Sequence, residues 1–506
     1  MLTLRTYAVA LVFGLALVPL TRAQDPASQN QNPPPAQEPT NPAQPLPPDK
    51  PAQPADNQGK PSPDDQPISP VVAGTVVDAP LGGAAMPVIG LVRSRSYVVP
   101  ALSYYGMLDS NANNAVGNYQ FASINTLMAS LAVQKLGRAS QLNVGYLIGR
   151  SFSNSGEFNS TTHDLVVSDL WSRGRWDGFI LEKLLYSSEA GLLGGAVPFD
   201  NIGLDNAGGL NAAGPIALQN SFVPGQGIFT GFGPRLSNGT VAQVTNHVSR
   251  RTYFTLVGNY NSLDFFNSSL INTSAAGFQA GLGYQRTRED TIAVLYRFND
   301  FWFGSLPISV RDNIVELQYQ RELGQRMVFQ IGAGPEFSYI HDATLVGGAV
   351  GTPLPSTSRT SWSLESNLQY RLRRVSLQVG YDHFLTGGYG VFLGAITDRA
   401  NFTYSRQLSR VWNVSATASY AHNVNLVPLF TQTQNIPANA SYDSVYAGIE
   451  AQRRIGRDSE LFFGYVGRYQ TANYVACLTG ICKGSNLVGH QVNFGFSWRL
   501  KPFPVD

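Results

Sequence analysis

Six histidines, two cysteines and a few short glycine or serine motifs are the residues in this chain best suited to chemistry. His163, His247, His341, His383, His422 and His490 are dispersed and form no HExxH pair, so the helical zinc-protease arrangement is absent. Gly495-Phe-Ser497-Trp-Arg499 lacks the second glycine of a nucleophile elbow. Gly281-Leu-Gly283 and Gly332-Ala-Gly334 lack the helix start whose amides would cradle a phosphate. Cys477 and Cys482 enclose Leu-Thr-Gly-Ile. Two thiols cannot complete a tetrahedral zinc site. In an oxidising compartment they are disulfide candidates, with two unpaired thiols as the alternative. The residues therefore point to no enzyme and to no cofactor or metal.

The elements that would position such residues follow from composition. Charged residues make up 13% of the 506 positions, against about 25% in soluble proteins. A mean hydropathy of −0.09 is too polar for a bundle of membrane helices. A net charge of +2 gives no footprint for nucleic acid, which is not expected as a partner. Residues 1–23 read as a signal peptide, with Arg5 before an apolar core from Ala8 to Leu20 and a small residue, Ala23, before the expected cut. Residues 24–70 hold fifteen of the 31 prolines and no aromatic residue. Such a segment cannot bury enough apolar surface to offset its ordering entropy, and it reads as a disordered linker. Residues 71–96 read as an irregular stretch leading into the body, and residues 501–506 as a short tail.

Between 97 and 500 the dominant signal is alternation with a period of two, the sign of strands with unlike faces. Val492, Phe494, Phe496, Trp498 and Leu500 share one face, opposite Gln491, Asn493, Gly495, Ser497 and Arg499. Trp412, Val414, Ala416, Ala418 and Tyr420 repeat the pattern, as do Trp362, Leu364, Leu368 and Tyr370. Short turns near residues 138, 174, 250, 288, 324, 373, 409 and 456 alternate with longer Gly/Asn/Ser/Pro segments. Strands flanking the eight short turns, with one at 97–108 and one at 487–500, make about 18, within a range of 16 to 20.

This pattern resembles the outer-membrane β-barrel proteins of diderm bacteria, porins most of all, over about 400 residues. The resemblance implies a transmembrane antiparallel β-barrel, with short periplasmic turns, long external loops and aromatic girdles. It further implies outer-membrane lipid, the outer-membrane assembly machinery and small hydrophilic solutes as partners, a homo-oligomer, and a linker in the periplasm. Phe494-x-Phe496-x-Trp498 resembles the terminal signal that assembly reads, although Lys501-Pro-Phe503-Pro-Val-Asp506 follows it. Some barrels of this kind are hydrolases with a Ser/His pair at the rim, where His163 or His383 would fall.

The expected function is passive or weakly selective passage of small hydrophilic solutes; a closed surface-interaction barrel with partner-binding loops is the alternative. The porin resemblance implies that a long loop from about 190 to 239, carrying Asp200, Asp205 and Arg235, folds in to constrict the lumen; an extended external loop that binds something is the alternative. Strand parity assigns Arg297, Glu316, Glu365, Arg371, Asp382, Glu450, Arg468 and Arg499 to the lumen wall. There they would set ion selectivity or simply pair with one another. Phe301, Trp302, Phe303, Phe384, Tyr389 and Phe392 are expected to form a girdle rather than a track for sugar faces.

Overall fold

The computed structural model describes residues 96–112, 120–156, 158–187, 234–266, 271–304, 306, 308–324, 326–341, 357–387, 393–427, 429–430, 435–436, 440–472, 476–478, 481–483 and 486–504. The signal peptide, linker, Asp200, Asp205, Tyr389 and Phe392 lie outside these residues. Every described element is a strand, turn or bend. The first strands are β1 (Tyr97–Asp109), β2 (Ala122–Leu136), β3 (Ser140–Ser153), β4 (Ser160–Arg173), β5 (Trp176–Ser187) and β6 (Arg235–His247). They continue with β7 (Thr252–Phe265), β8 (Thr273–Gln285), β9 (Asp290–Trp302), β10 (Ser309–Leu323), β11 (Met327–His341) and β12 (Thr357–Arg371). Next come β13 (Val375–Thr386), β14 (Leu393–Gln407), β15 (Trp412–Val427), β16 (Leu429–Phe430), β17 (Asn435–Ile436) and β18 (Ser441–Ile455). The last are β19 (Ser459–Ala472), β20 (Ala476–Leu478), β21 (Ile481–Lys483), β22 (Asn486–Arg499) and β23 (Phe503–Pro504).

Eighteen of these form one closed antiparallel sheet. From β1 to β15 each strand pairs with the next, β15 pairs with β18, β18 with β19, and β19 with β22. The ring shuts where β1 pairs with β22, from Ala101↔Arg499 to Asp109↔Gln491. Fourteen residues at about 3.3 Å each, tilted by about 40°, rise about 35 Å, enough to cross a hydrocarbon core of about 30 Å. Closure matters because lipid cannot satisfy the amides of an open edge.

The two faces differ as their alternation requires. Leu127, Ile180, Leu282, Leu317 and Phe463 point outward and stay exposed, while their strand neighbours point inward and are buried. Tight turns link strand pairs at one end, here the turn end; the longer connections lie at the loop end. Gly174, Gly324 and Gly456 take positive φ of 65°, 65° and 71° in three of the tight turns, with open space where a Cβ would stand. Glycine is therefore favoured there by backbone conformation rather than by room. In two others the hydroxyl of Ser249 or Ser409 accepts hydrogen bonds from amides two and three residues on.

Several boundaries differ from the sequence expectation. β6 begins at Arg235, so Arg235–Gly239 belong to the wall and not to the long loop. The alternation is hidden there because outward Asn238 and Thr240 are polar: both donate to the carboxylate of outward Glu182 on β5. β1 extends to Asp109, one residue past the expected 97–108. The tail rejoins the sheet, since Phe503 and Pro504 pair with Val98 and Tyr97. The backbones of Cys477 and Cys482 stand opposite each other in the β20–β21 ribbon.

Candidate functional site: the barrel wall

Parity aims one set of polar side chains into the barrel, and cross-strand register decides which of them meet. On adjacent strands β8 to β12, Arg297 is the hub. Its Nε donates to Gln279 Oε1 at 3.1 Å, while its terminal nitrogens stand 3.4 Å from Glu316 Oε2 and 3.8 Å from Glu365 Oε2. Arg297, Glu316 and Gln318 are almost completely buried, and Gln318 Nε2 donates to Glu316 Oε1 at 2.9 Å. Gly332 makes this packing feasible, because a Cβ there would fall 1.8 Å from Glu316 Oε1. One strand pair further on, Arg399 donates from Nε and Nη2 to Asp382 Oδ2 at 2.9 and 2.6 Å.

A third cluster sits at the seam of the barrel. Arg468 on β19 donates through Nη2 to both oxygens of Asp109 on β1, at 3.1 and 2.8 Å, and to the Asn111 carbonyl at 2.8 Å. Gln491, on the intervening β22, donates to Asp109 Oδ2 at 2.7 Å. Such charge-assisted bonds are about twice as strong as neutral ones, and here they tie the closing strands together.

Of the residues assigned to the lumen from sequence, Arg297, Glu316, Glu365, Asp382, Glu450 and Arg468 point inward along the wall. Glu450 accepts from Gln452 at 2.6 Å. Arg371 and Arg499 keep the inward parity but end their strands, so they stand at the turn-end rim, Arg499 half-exposed and 3.2 Å from Glu460. Arg235, expected in the loop, is an inward wall residue, 2% exposed.

Sequence reasoning missed Asp109, Asp312, Glu336 and Arg399. Asp109 fell one residue beyond the predicted end of β1. Parity counted from Glu316 would have found Asp312. Glu336 is masked by Pro335, at which the β10–β11 register lapses between Ile314↔Glu336 and Leu317↔Ala333. It accepts the Leu385 amide at 3.0 Å. Arg399 was missed because the outward neighbour Asp398 breaks the apolar row.

The inner wall is also less uniformly polar than a simple in/out rule predicts. Phe179, Leu181, Val241 and Val257 form a buried inward cluster on β5, β6 and β7, with Val166 and Leu170 of β4 against it. The aromatic segment near residue 302 divides by parity. Trp302 faces out and is 40% exposed, whereas Phe301, Phe303 and Phe384 are buried and leave the girdle to others.

A second polar constellation lies on the outer face near the loop end. His383, Asp398, His422 and Asp443 are successive cross-strand partners on β13, β14, β15 and β18. His383 Nδ1 is 2.6 Å from Asp398, and His422 Nδ1 is 2.8 Å from Asp443. Tyr381 and Tyr420 each donate to the same aspartate oxygen as the neighbouring histidine, at 2.8 and 2.7 Å. Trp362 stacks on His383 with centroids 4.0 Å apart. His163 and His490 instead meet the hydroxyls of Tyr146 and Tyr465, each at 2.8 Å. Residues scattered in sequence thus meet in one cross-strand row on β13 to β18 and in two separate pairs, and none of the described His, Cys, Asp or Glu residues forms a group of three able to hold a metal.

A closed antiparallel wall, apolar outside and ion-paired within, defines a transmembrane β-barrel of the outer-membrane type, with the architecture expected from the porin resemblance. No protein-family profile and no curated protein matches the chain. Solved structures of outer-membrane barrels do. Pseudomonas aeruginosa OccK2 (OpdF) is 10% identical, with 81% of this chain and 98% of that chain covered and a TM-score of 0.40. Acinetobacter baumannii OccAB2 is 11% identical over 80% and 98%, at 0.39. The ferric-catecholate import receptor Fiu of E. coli K12, in its open form, is 8% identical over 81% and 82%, also at 0.39. The fold assignment rests on the strand register and the two faces of the sheet.

Proposed function

We propose that this chain is an outer-membrane channel for passive or weakly selective diffusion of small hydrophilic solutes. The observation that carries the reading is a closed barrel whose inward face presents cross-strand ion pairs while its outward face is apolar. Charges held between low-dielectric walls act strongly on a passing ion or polar solute. The turn end then faces the periplasm, together with residues 24–70, and the loops face outward from the cell. The outward row Phe494, Phe496 and Trp498 on β22 is the signal offered to the assembly machinery. The reading involves no catalytic step and no cofactor.

Near-complete burial of Arg297, Glu316 and Gln318 favours a second reading, a closed barrel whose loops bind a partner at the surface. Single-channel conductance of the mature protein in a planar bilayer separates the two. Discrete, reproducible steps support the channel. Silence from folded, inserted protein overturns it and directs attention to the loops. Conductance measured against protein concentration tests the homo-oligomer, whose signature is steps that open in fixed multiples.

A further inference from the structure

The turn end carries an unusual concentration of arginine. Each of the eight tight turns has at least one exposed arginine, among them Arg138, Arg250, Arg288 and Arg374. More telling are the exposed cations on the outward face just before those turns: Lys135, Arg173, Arg321, Arg406 and Arg453. Strand parity fixes their direction, since each shares a face with exposed apolar neighbours such as Leu131, Leu317 and Ile449.

Three of these cations sit beside aromatic side chains of the same face. Arg173 is the direct cross-strand partner of Trp176, and Arg453 that of Trp412, both tryptophans being exposed. The Arg453 guanidinium lies 5.4 Å from the centroid of the Trp412 ring. Arg321 follows Tyr319 by two positions on β10, and its carboxylate contact, Asp290 at 3.7 Å, is shared with the Tyr319 hydroxyl. Tryptophan and tyrosine settle where hydrocarbon gives way to headgroups. A guanidinium immediately beyond them extends its charge to the phosphate level while its methylenes stay against the apolar wall. The outward loop end has the opposite balance: Asp264, Asp300, Asp398 and Asp443 against Arg150 and Arg311 among the described residues.

We infer that the outward turn-end cations form a collar that binds the phosphates of anionic phospholipids in the adjoining leaflet. The inference is independent of whether the lumen conducts. Outward direction and alignment with the aromatics favour lipid over a soluble polyanion, which would engage the turn tips. Arginine suits the task because its planar fork can bond two phosphate oxygens at once.

The test reconstitutes the full mature chain in bilayers of equal parts phosphatidylcholine and phosphatidylglycerol and counts retained lipids by native mass spectrometry. Wild type is expected to retain phosphatidylglycerol preferentially, with affinity falling about fivefold for each collar cation removed. Combining Arg173→Gln, Arg321→Gln, Arg406→Gln and Arg453→Gln abolishes the preference, whereas the four lysine replacements keep most of it. Arg138→Gln, Arg250→Gln, Arg288→Gln and Arg374→Gln together leave it unchanged. Equal retention of both lipids by wild type overturns the inference, as does a loss confined to the turn-tip set. If the collar variant does not fold, salt titration of wild type decides: retention insensitive to ionic strength refutes a headgroup bond.

Discussion

Two walls of the same barrel fill their interior by different means. Along β9 to β14 the interior includes charged side chains held by partners on other strands: Arg297 with Glu316 and Glu365, Arg399 with Asp382. Along β4 to β7 the interior carries an apolar cluster, Phe179, Leu181, Val241 and Val257, packed as in the core of a soluble protein beside uncharged polar residues such as Gln243 and Thr255 and the single buried Arg235. The first wall keeps its charges only while register is held, because an unpaired buried ion is costly. The second tolerates local error, since apolar contacts are non-directional. Selectivity, on the channel reading, belongs to the first wall, and the second contributes stability.

The sharpest break is Arg297→Met, which strands Glu316 and Glu365 and is expected to lower stability by about 3–5 kcal/mol. Denaturant unfolding in detergent measures it, and an unchanged midpoint would show that the carboxylates do not depend on Arg297. Replacing all three residues by apolar ones of similar volume should recover most of the loss, since a whole triad can be exchanged at little cost.

On the other wall, Leu181→Ala should cost about 2–4 kcal/mol through lost burial and a cavity. Its reversal potential in a salt gradient should match that of wild type; a shifted potential would mean that the apolar wall also governs ions. Asn238→Ala removes one of the two donors to outward Glu182 and should cost about 0.5–1.5 kcal/mol. A loss as large as that of Leu181→Ala would place that outward cluster on a par with the inner walls.

The smallest stability effect is expected for Glu365→Gln, below about 1 kcal/mol, because its contact with Arg297 is long and Arg297 keeps Glu316. Its signature lies in selectivity, where the reversal potential should move toward anions. No movement would remove Glu365 from the conducting path.

Much of this was legible in the chain before folding. The alternation of Val492 to Leu500 and of Trp412 to Tyr420 fixes which side chains share a face, and the short turns put the strand count near the observed 18, within a range of 16 to 20. The exceptions have a common cause. Asn238, Thr240 and Asp398 are polar residues on the outward face, each satisfied by a partner on the next strand. Where such a residue interrupts the apolar row, the period-two signal fades, and the start of β6 and the charge of Arg399 were lost with it. The aromatic run Phe301-Trp302-Phe303 failed differently: parity sends only Trp302 outward, whatever the residue type suggests.

Alternation along a strand is set by neighbours two residues apart, so the sequence by itself determined the strands, their faces and the need for the sheet to close. Which charges meet depends on register between strands, which no local pattern encodes. Asp109 and Arg468 stand 359 residues apart. They come within 2.8 Å because β1 closes onto β22 at a register that sets Gln491 opposite Asp109 and brings β19 alongside. Only the closed barrel makes that contact, and with it the charge lining of the interior.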